Sequence, residues 1–336
     1  MNRRNFIENS GKASIALSLL GLYACKNSKK DQGTTITTPE ETAAKTENIP
    51  FFKLSLAQWS IHKMILEEGF DPFNFAEKAK GWGFEGLEYV SQLYTGELEK
   101  NPNTAAAMDN LVRELNKRST DNDIKNLIIM VDAEGNLGIK DEAERMKAIE
   151  NHHKWIDAAA ALDCHSIRVN LFGEQEVDAW KRYSAESLSK LAEYAAKSNI
   201  NVLVENHGGF SSNAALLAEV MKEVNMDNCG TLPDFGNFCL KRENGEPWGA
   251  PCVEEYDKYK GVKELMPFAK AVSAKSYDFD EAGNETTIDY VKILQTVKDA
   301  GYTGYVGVEY EGDRLSEEEG ILATKKLLIN TAKQLS

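Results

Sequence analysis

Histidine, cysteine and basic charge are scarce in this chain, and each shortage closes off a class of function. There are 5 histidines and 5 cysteines in 336 residues, and 39 basic side chains face 53 acidic ones, a formal net charge of −14. Nucleic-acid binders present basic patches, so this balance argues against a polynucleotide partner. No CxxC pair occurs, which removes a zinc ribbon or thioredoxin motif. No GxGxxG follows the first strand-like run, so a dinucleotide fold has no support. A glycine-rich phosphate loop is absent too, and Arg168 stands alone inside a strand-like run, not in an arginine cluster. A long hydrophobic run is also missing. The apolar stretch from Ala13 to Tyr23 is about half the ~20 residues needed to cross a bilayer, and nothing after it would span.

What the N-terminus does have is an address. Arg3-Arg4 precede the apolar stretch, which ends Leu22-Tyr23-Ala24-Cys25. The pattern resembles a twin-arginine signal with a lipoprotein box. Residues 1–24 are read as signal peptide and Cys25 as the lipidated first mature residue, with an amphipathic helix as the alternative. Residues 26–50 are mostly small, polar or charged and carry almost no large apolar side chain, the composition of a disordered tether. The expectation is an exported protein of the bacterial cell envelope or periplasm. It would touch the membrane only through its lipid anchor and carry one domain over residues 51–336.

Within that domain, short apolar runs alternate with longer amphipathic ones. Strand candidates are Leu54–Ser60, Gly86–Val90, Leu127–Val131, Ser166–Leu171, Asn201–Glu205, Cys229–Asp234, Ala271–Ser276 and Tyr305–Glu309. Between them, stretches such as 141–159, 184–196, 213–224 and 288–300 repeat apolar residues at three- and four-residue steps. Eight strand–helix repeats predict a single (β/α)8 TIM barrel. Glu205, Asp234 and Glu309 then stand where strands five, six and eight end, at the catalytic mouth of such a barrel. Three converging carboxylates repel unless a cation or shared protons offset them. The long connection 238–256 is bracketed by Cys239 and Cys252, which either pair or remain free thiols.

Val204-Glu205-Asn206-His207-Gly208, Asp234-Phe-Gly-Asn237, Ala274-Lys275-Ser276 and Val308-Glu309 together resemble the xylose isomerase-like barrel superfamily of sugar isomerases and epimerases. The resemblance runs from about Leu54 to the C-terminus. It implies a divalent metal held by Glu205, Asp234 and Glu309, with Ser273 standing where the family has a histidine and Asn237 replacing a second one. Without those nitrogens, Mn2+ or Mg2+ fits better than Zn2+ or Co2+. The implied chemistry is proton transfer beside a sugar carbonyl through an enediolate, with Glu205 and Glu309 as the proton-moving pair. Lys275 is expected at the mouth, either stabilising the enediolate or ion-paired with Asp234 or Glu309. His207, Asn170, Asn237, Trp59 and Trp248 are candidate substrate contacts, with His62, Glu88 and Asp132 as lesser ones. The implied substrate is an unphosphorylated sugar or keto-sugar. Elimination from a 3-keto-glycoside, and sugar binding without catalysis on a degenerate barrel, are the alternatives.

Overall fold

The computed structural model describes residues 50–245 and 249–336. The segments expected to be signal and tether, Cys25 between them, and Trp248 lie outside the described residues. Eight parallel strands alternate with helices: β1 (Lys53–Ala57), β2 (Gly86–Val90), β3 (Lys125–Met130), β4 (Ser166–Val169), β5 (Asn201–Glu205), β6 (Cys229–Leu232), β9 (Val272–Ser276) and β10 (Tyr305–Tyr310). They hydrogen-bond in the order β6-β5-β4-β3-β2-β1-β10-β9. The two outer strands then meet through isolated parallel bridges, Thr231 with Ala269 and Asp234 with Ser273. At that seam Ser273 N–H donates to Pro233 O (3.0 Å), and Phe235 N–H donates to Ser273 O (3.1 Å). The expected TIM barrel is therefore present, and its closing seam runs through Asp234.

One difference concerns the long connection after β6. It folds as an antiparallel hairpin of β7 (Cys239–Arg242) and β8 (Cys252–Glu255), joined by a Cys239–Cys252 disulfide with an S–S distance of 2.07 Å. Cys164 and Cys229 are free.

Period-two alternation explains the layering. Val202, Val204, Val306 and Val308 face outward and pack under the helices, in the large outer core. Ala57, Ile128, Met130, Leu203 and Leu232 form a separate apolar cluster on the opposite face of the strands, inside the barrel. The helices start where the sequence supplies caps. Asp141 accepts from Glu144 N–H at the start of Glu142–Ala161, and Ser316 with Glu319 forms a capping box on Glu317–Gln334; one such cap stabilises by about 1 kcal/mol. Among the described residues no helix is long and apolar enough to cross a membrane.

Candidate active site

Alternation also fixes which polar side chains enter the barrel. Asn201, Leu203 and Glu205 share one face of β5, and Gly307, Glu309 and Glu311 share one face at β10. Glu309 and Lys275 are register partners on adjacent strands, so their side chains meet. Glu205, Asp234 and Glu309 are all buried, and one oxygen of each lies within 4.8 Å of the other two. The three acids read from the strand ends do converge.

On the β9–β10 side, Lys275 Nζ lies 3.0 Å from Glu309 Oε1, 2.6 Å from Glu311 Oε1 and 3.9 Å from Asp234 Oδ2. Of the two expected roles for Lys275, the ion pair with Glu309 is observed. Burial opposes the ammonium's charge, yet Glu309, Glu311 and Asp234 outweigh it and raise the lysine's pKa. Burial likewise opposes ionisation of Glu309, but Lys275 prevails and holds that carboxyl below the usual range. Ser273 Oγ sits 2.8 Å from both Asp234 Oδ2 and Glu309 Oε2. A hydroxyl has one proton to donate, so the second contact calls for a protonated carboxyl. Asp234 suits that part, because burial pushes it up to about 8.

The β4–β5 side is built around Arg168, buried on the inward face of β4. Its Nη1 donates to Asp132 Oδ1 at 2.7 Å. Its Nε lies 2.9 Å from Glu205 Oε2, but the alignment makes no hydrogen bond, and both atoms are buried without such a partner. Burial consequently dominates Glu205 and raises it to about 7 despite the guanidinium. Asn237 Nδ2 donates to Glu205 Oε1 at 3.0 Å. Buried Asn206 ties the β5 turn to the Asp234 loop: its Oδ1 accepts from Asp234 N–H (2.8 Å) and its Nδ2 donates to Asp234 O (3.0 Å).

Asn170 donates to Asp132 Oδ1 (2.6 Å), and its own Oδ1 lies 2.8 Å from His207 Nδ1. An amide oxygen only accepts, so His207 carries its proton on Nδ1. Burial and Arg168 lower this imidazole to about 4, leaving it neutral. The chain turns sharply after it, through Gly208 and Gly209 at φ 90° and 58°, values that favour glycine. Trp59 is half-buried and stacks on His62 with centroids 4.5 Å apart. Glu88, one of the lesser candidates, is set below the mouth. It lies mid-strand inside the barrel, accepts from Ser55 Oγ at 2.6 Å, and is raised by burial to about 8. Gly307 makes room for it, since a Cβ there would stand 2.5 Å from Glu88 Oε1.

The residues present fit a hard cation. Five carboxyl groups (Asp132, Glu205, Asp234, Glu309, Glu311) face two cations, Arg168 and Lys275, and buried Glu205 Oε2 lacks a hydrogen bond. The triad supplies only oxygen donors.

Residues 76–331 match the profile of the xylose isomerase-like TIM barrel, and the chain belongs to that family. Two curated relatives match over short stretches. The 3'-dehydrocarminate deglycosidase alpha subunit of a Microbacterium species is 42% identical over 48 residues, 14% of each chain. The C-glycoside deglycosidase alpha subunit of Arthrobacter globiformis is 39% identical over 66 residues, 19% of each chain. The matched stretch is thus less than a fifth of either relative. Among solved structures, a D-tagatose 3-epimerase-like protein superposes with a TM-score of 0.61 at 17% identity, covering 85% of this chain and 100% of that one. A 3-keto-D-glucoside 4-epimerase from E. coli gives 0.60 at 15%, covering 83% and 99%. The IOLI protein, solved with a bound zinc atom, gives 0.58 at 16%, covering 84% and 99%.

Proposed function

We propose that this protein is an isomerase or epimerase of an unphosphorylated sugar, most simply a keto-sugar. The observation that carries the reading is a pair of buried glutamates from β5 and β10 whose oxygens converge with that of Asp234 within 4.8 Å, Arg168 standing beside one and Lys275 beside the other. Pairs whose environments push their pKa values apart are how proteins assign acid and base roles. Glu309, held ionised by Lys275, removes the proton from the carbon beside the carbonyl. Lys275, 3.0 Å from that carboxylate, offsets charge on the enediolate oxygen. Glu205, at about 7, returns a proton from the other side, and the product is the epimer or isomer. His207, Asn170 and Trp59 line the mouth as sugar contacts, while Asn237 chiefly positions Glu205.

Glu205, Asp234 and Glu309 would hold a divalent cation, for which the all-oxygen set favours Mn2+ or Mg2+. Such an ion would supply Lewis-acid polarisation of the substrate oxygens. Arg168 is committed to Asp132, Asn170 and Glu205, which supports a substrate without phosphate. The disulfide supports export to an oxidising compartment, in keeping with a twin-arginine signal and lipidation at Cys25.

A second reading has a specific observation in its favour, the deglycosidase names of the curated relatives. Removing the proton at C2 of a 3-keto-glycoside and breaking the bond from C1 to the aglycone gives an enone, the aglycone taking up a proton. Both readings are tested by incubating the purified protein with keto-sugars in deuterated water and analysing the products. Deuterium in a product of unchanged formula supports epimerisation, and a split product supports elimination. Binding without exchange or cleavage would leave a sugar-binding protein. Metal content, near one ion per chain and lost in Asp234→Ala, tests the triad.

A further inference from the structure

The face of the barrel that carries the acids also carries a concavity away from them. A cleft of about 420 Å3 lies between the segments that follow β2 and β3, within the roughly 300–1,000 Å3 range of pockets that enclose drug-sized ligands. Ser91 and Gln92 come directly after β2, and Asp132 to Glu134 come just after β3. Both segments therefore leave the barrel at the strands' C-terminal ends, on the same face as Glu205 and Glu309.

Asp132 joins the cleft to the site. It lines the cleft, and its Oδ1 accepts from Arg168 Nη1 (2.7 Å) and Asn170 Nδ2 (2.6 Å). Arg168 Nε lies in turn 2.9 Å from Glu205 Oε2. One guanidinium separates the cleft from the proton-moving carboxyl.

The lining divides by chemistry. Leu98, Met108 and Trp155 supply apolar surface, and Gln92, Asn101 and Glu134 supply amides and a carboxylate. Glu134 is held in place, accepting from Trp155 Nε1 at 2.6 Å and pairing with Lys154 Nζ at 2.7 Å. Between Asp132 and Glu134, Ala133 adopts φ 62°, a left-handed conformation uncommon for a non-glycine residue. A free monosaccharide over Glu205 and Glu309 would use none of this surface.

We infer that the cleft is an aglycone subsite, holding an aromatic, hydroxyl-bearing group while the sugar attached to it sits at the barrel mouth. The substrate class is then an aryl keto-glycoside. The inference rests on the keto-sugar reading above for the identity of the reacting half.

The test uses the full chain with 4-nitrophenyl and methyl 3-keto-glucosides, and free 4-nitrophenol as a probe. Thr95, an exposed residue on the cleft wall, is changed to Trp to fill the space, with Leu98→Trp as a second variant. Wild-type protein should bind 4-nitrophenol without competition from the methyl glucoside, and Thr95→Trp should weaken that binding tenfold or more. The ratio of kcat/KM for the aryl over the methyl substrate should fall by a similar factor, mainly through KM. Unchanged phenol binding in both variants, or displacement of the phenol by the methyl glucoside, overturns the subsite. Deuterium exchange on either glucoside judges the catalytic reading separately. Absent exchange with cleft-dependent phenol binding would sink that reading and leave the subsite standing.

Discussion

The two sides of the site use the same ingredients to opposite effect. On one, Lys275 Nζ lies 3.0 Å from Glu309 Oε1, and its charge holds the carboxyl below the usual range. On the other, Arg168 comes within 2.9 Å of Glu205 without a hydrogen bond, and burial wins, raising Glu205 to about 7. Proximity of a cation is therefore not enough to keep a buried carboxylate charged. The rest of the surroundings decide: Ser273 Oγ, 2.8 Å from Glu309, adds to the attraction of Lys275, whereas the charge of Glu309 itself raises Glu205 further. Arg168 spends its aligned donor on Asp132, so its charge is shared while its geometry is not.

The sharpest way to break this comparison is to remove the base. Glu309→Gln should lower turnover by roughly 10²–10⁴, the usual share of a general acid–base group, measured as the rate of solvent deuterium incorporation. Lys275→Met should come next. It leaves Glu309 buried and uncompensated, a loss of about 3–5 kcal/mol seen in denaturant unfolding. Adding Glu309→Gln to Lys275→Met should recover much of that loss, and no recovery would mean Lys275 acts through Glu311 instead.

A smaller effect is expected from opening the hairpin beside Asn237. Changing Cys239 and Cys252 to Ser together releases a link spanning 13 residues, for which chain entropy allows about 3 kcal/mol at most. Proteolysis should then cut between the two positions before the barrel unfolds. A further effect concerns pH. Asp234 and Glu205, raised to about 8 and 7, bind protons when folded that the unfolded chain releases near pH 4. The folded state thus holds more protons across that window, and its stability falls as pH rises from about 4 to 8. In metal-free buffer the melting temperature should drop along this range, and Asp234→Asn should flatten the drop by a few degrees. Glu309 works in the opposite sense, adding stability that is lost as pH falls below the ordinary glutamate range.

Much of this site is legible in the sequence. The eight strand positions followed from apolar runs separated by helical periodicity, and Glu205, Asp234 and Glu309 followed from strand ends. Arg168 and Glu311 carried a signal that went unused. Each lies two residues from a chosen position, Asn170 or Glu309, and period-two alternation puts residues two apart on one face of a strand. The same rule places Glu88 inside the barrel, not at its rim. The hairpin within 238–256 was harder to read, because short exposed strands lack an apolar face to betray them.

The local pattern of apolar and polar residues determined the barrel, since burying one face of each strand leaves few architectures, and with it the face on which three acids gather. The tertiary structure decided the rest: which acid meets which cation, which further charges and hydroxyls surround it, and hence which one keeps its proton. Those outcomes depend on contacts between strands far apart in sequence. The pairing of Cys239 with Cys252, open in the sequence, was likewise settled by the hairpin that brings their Cα atoms to 5.8 Å.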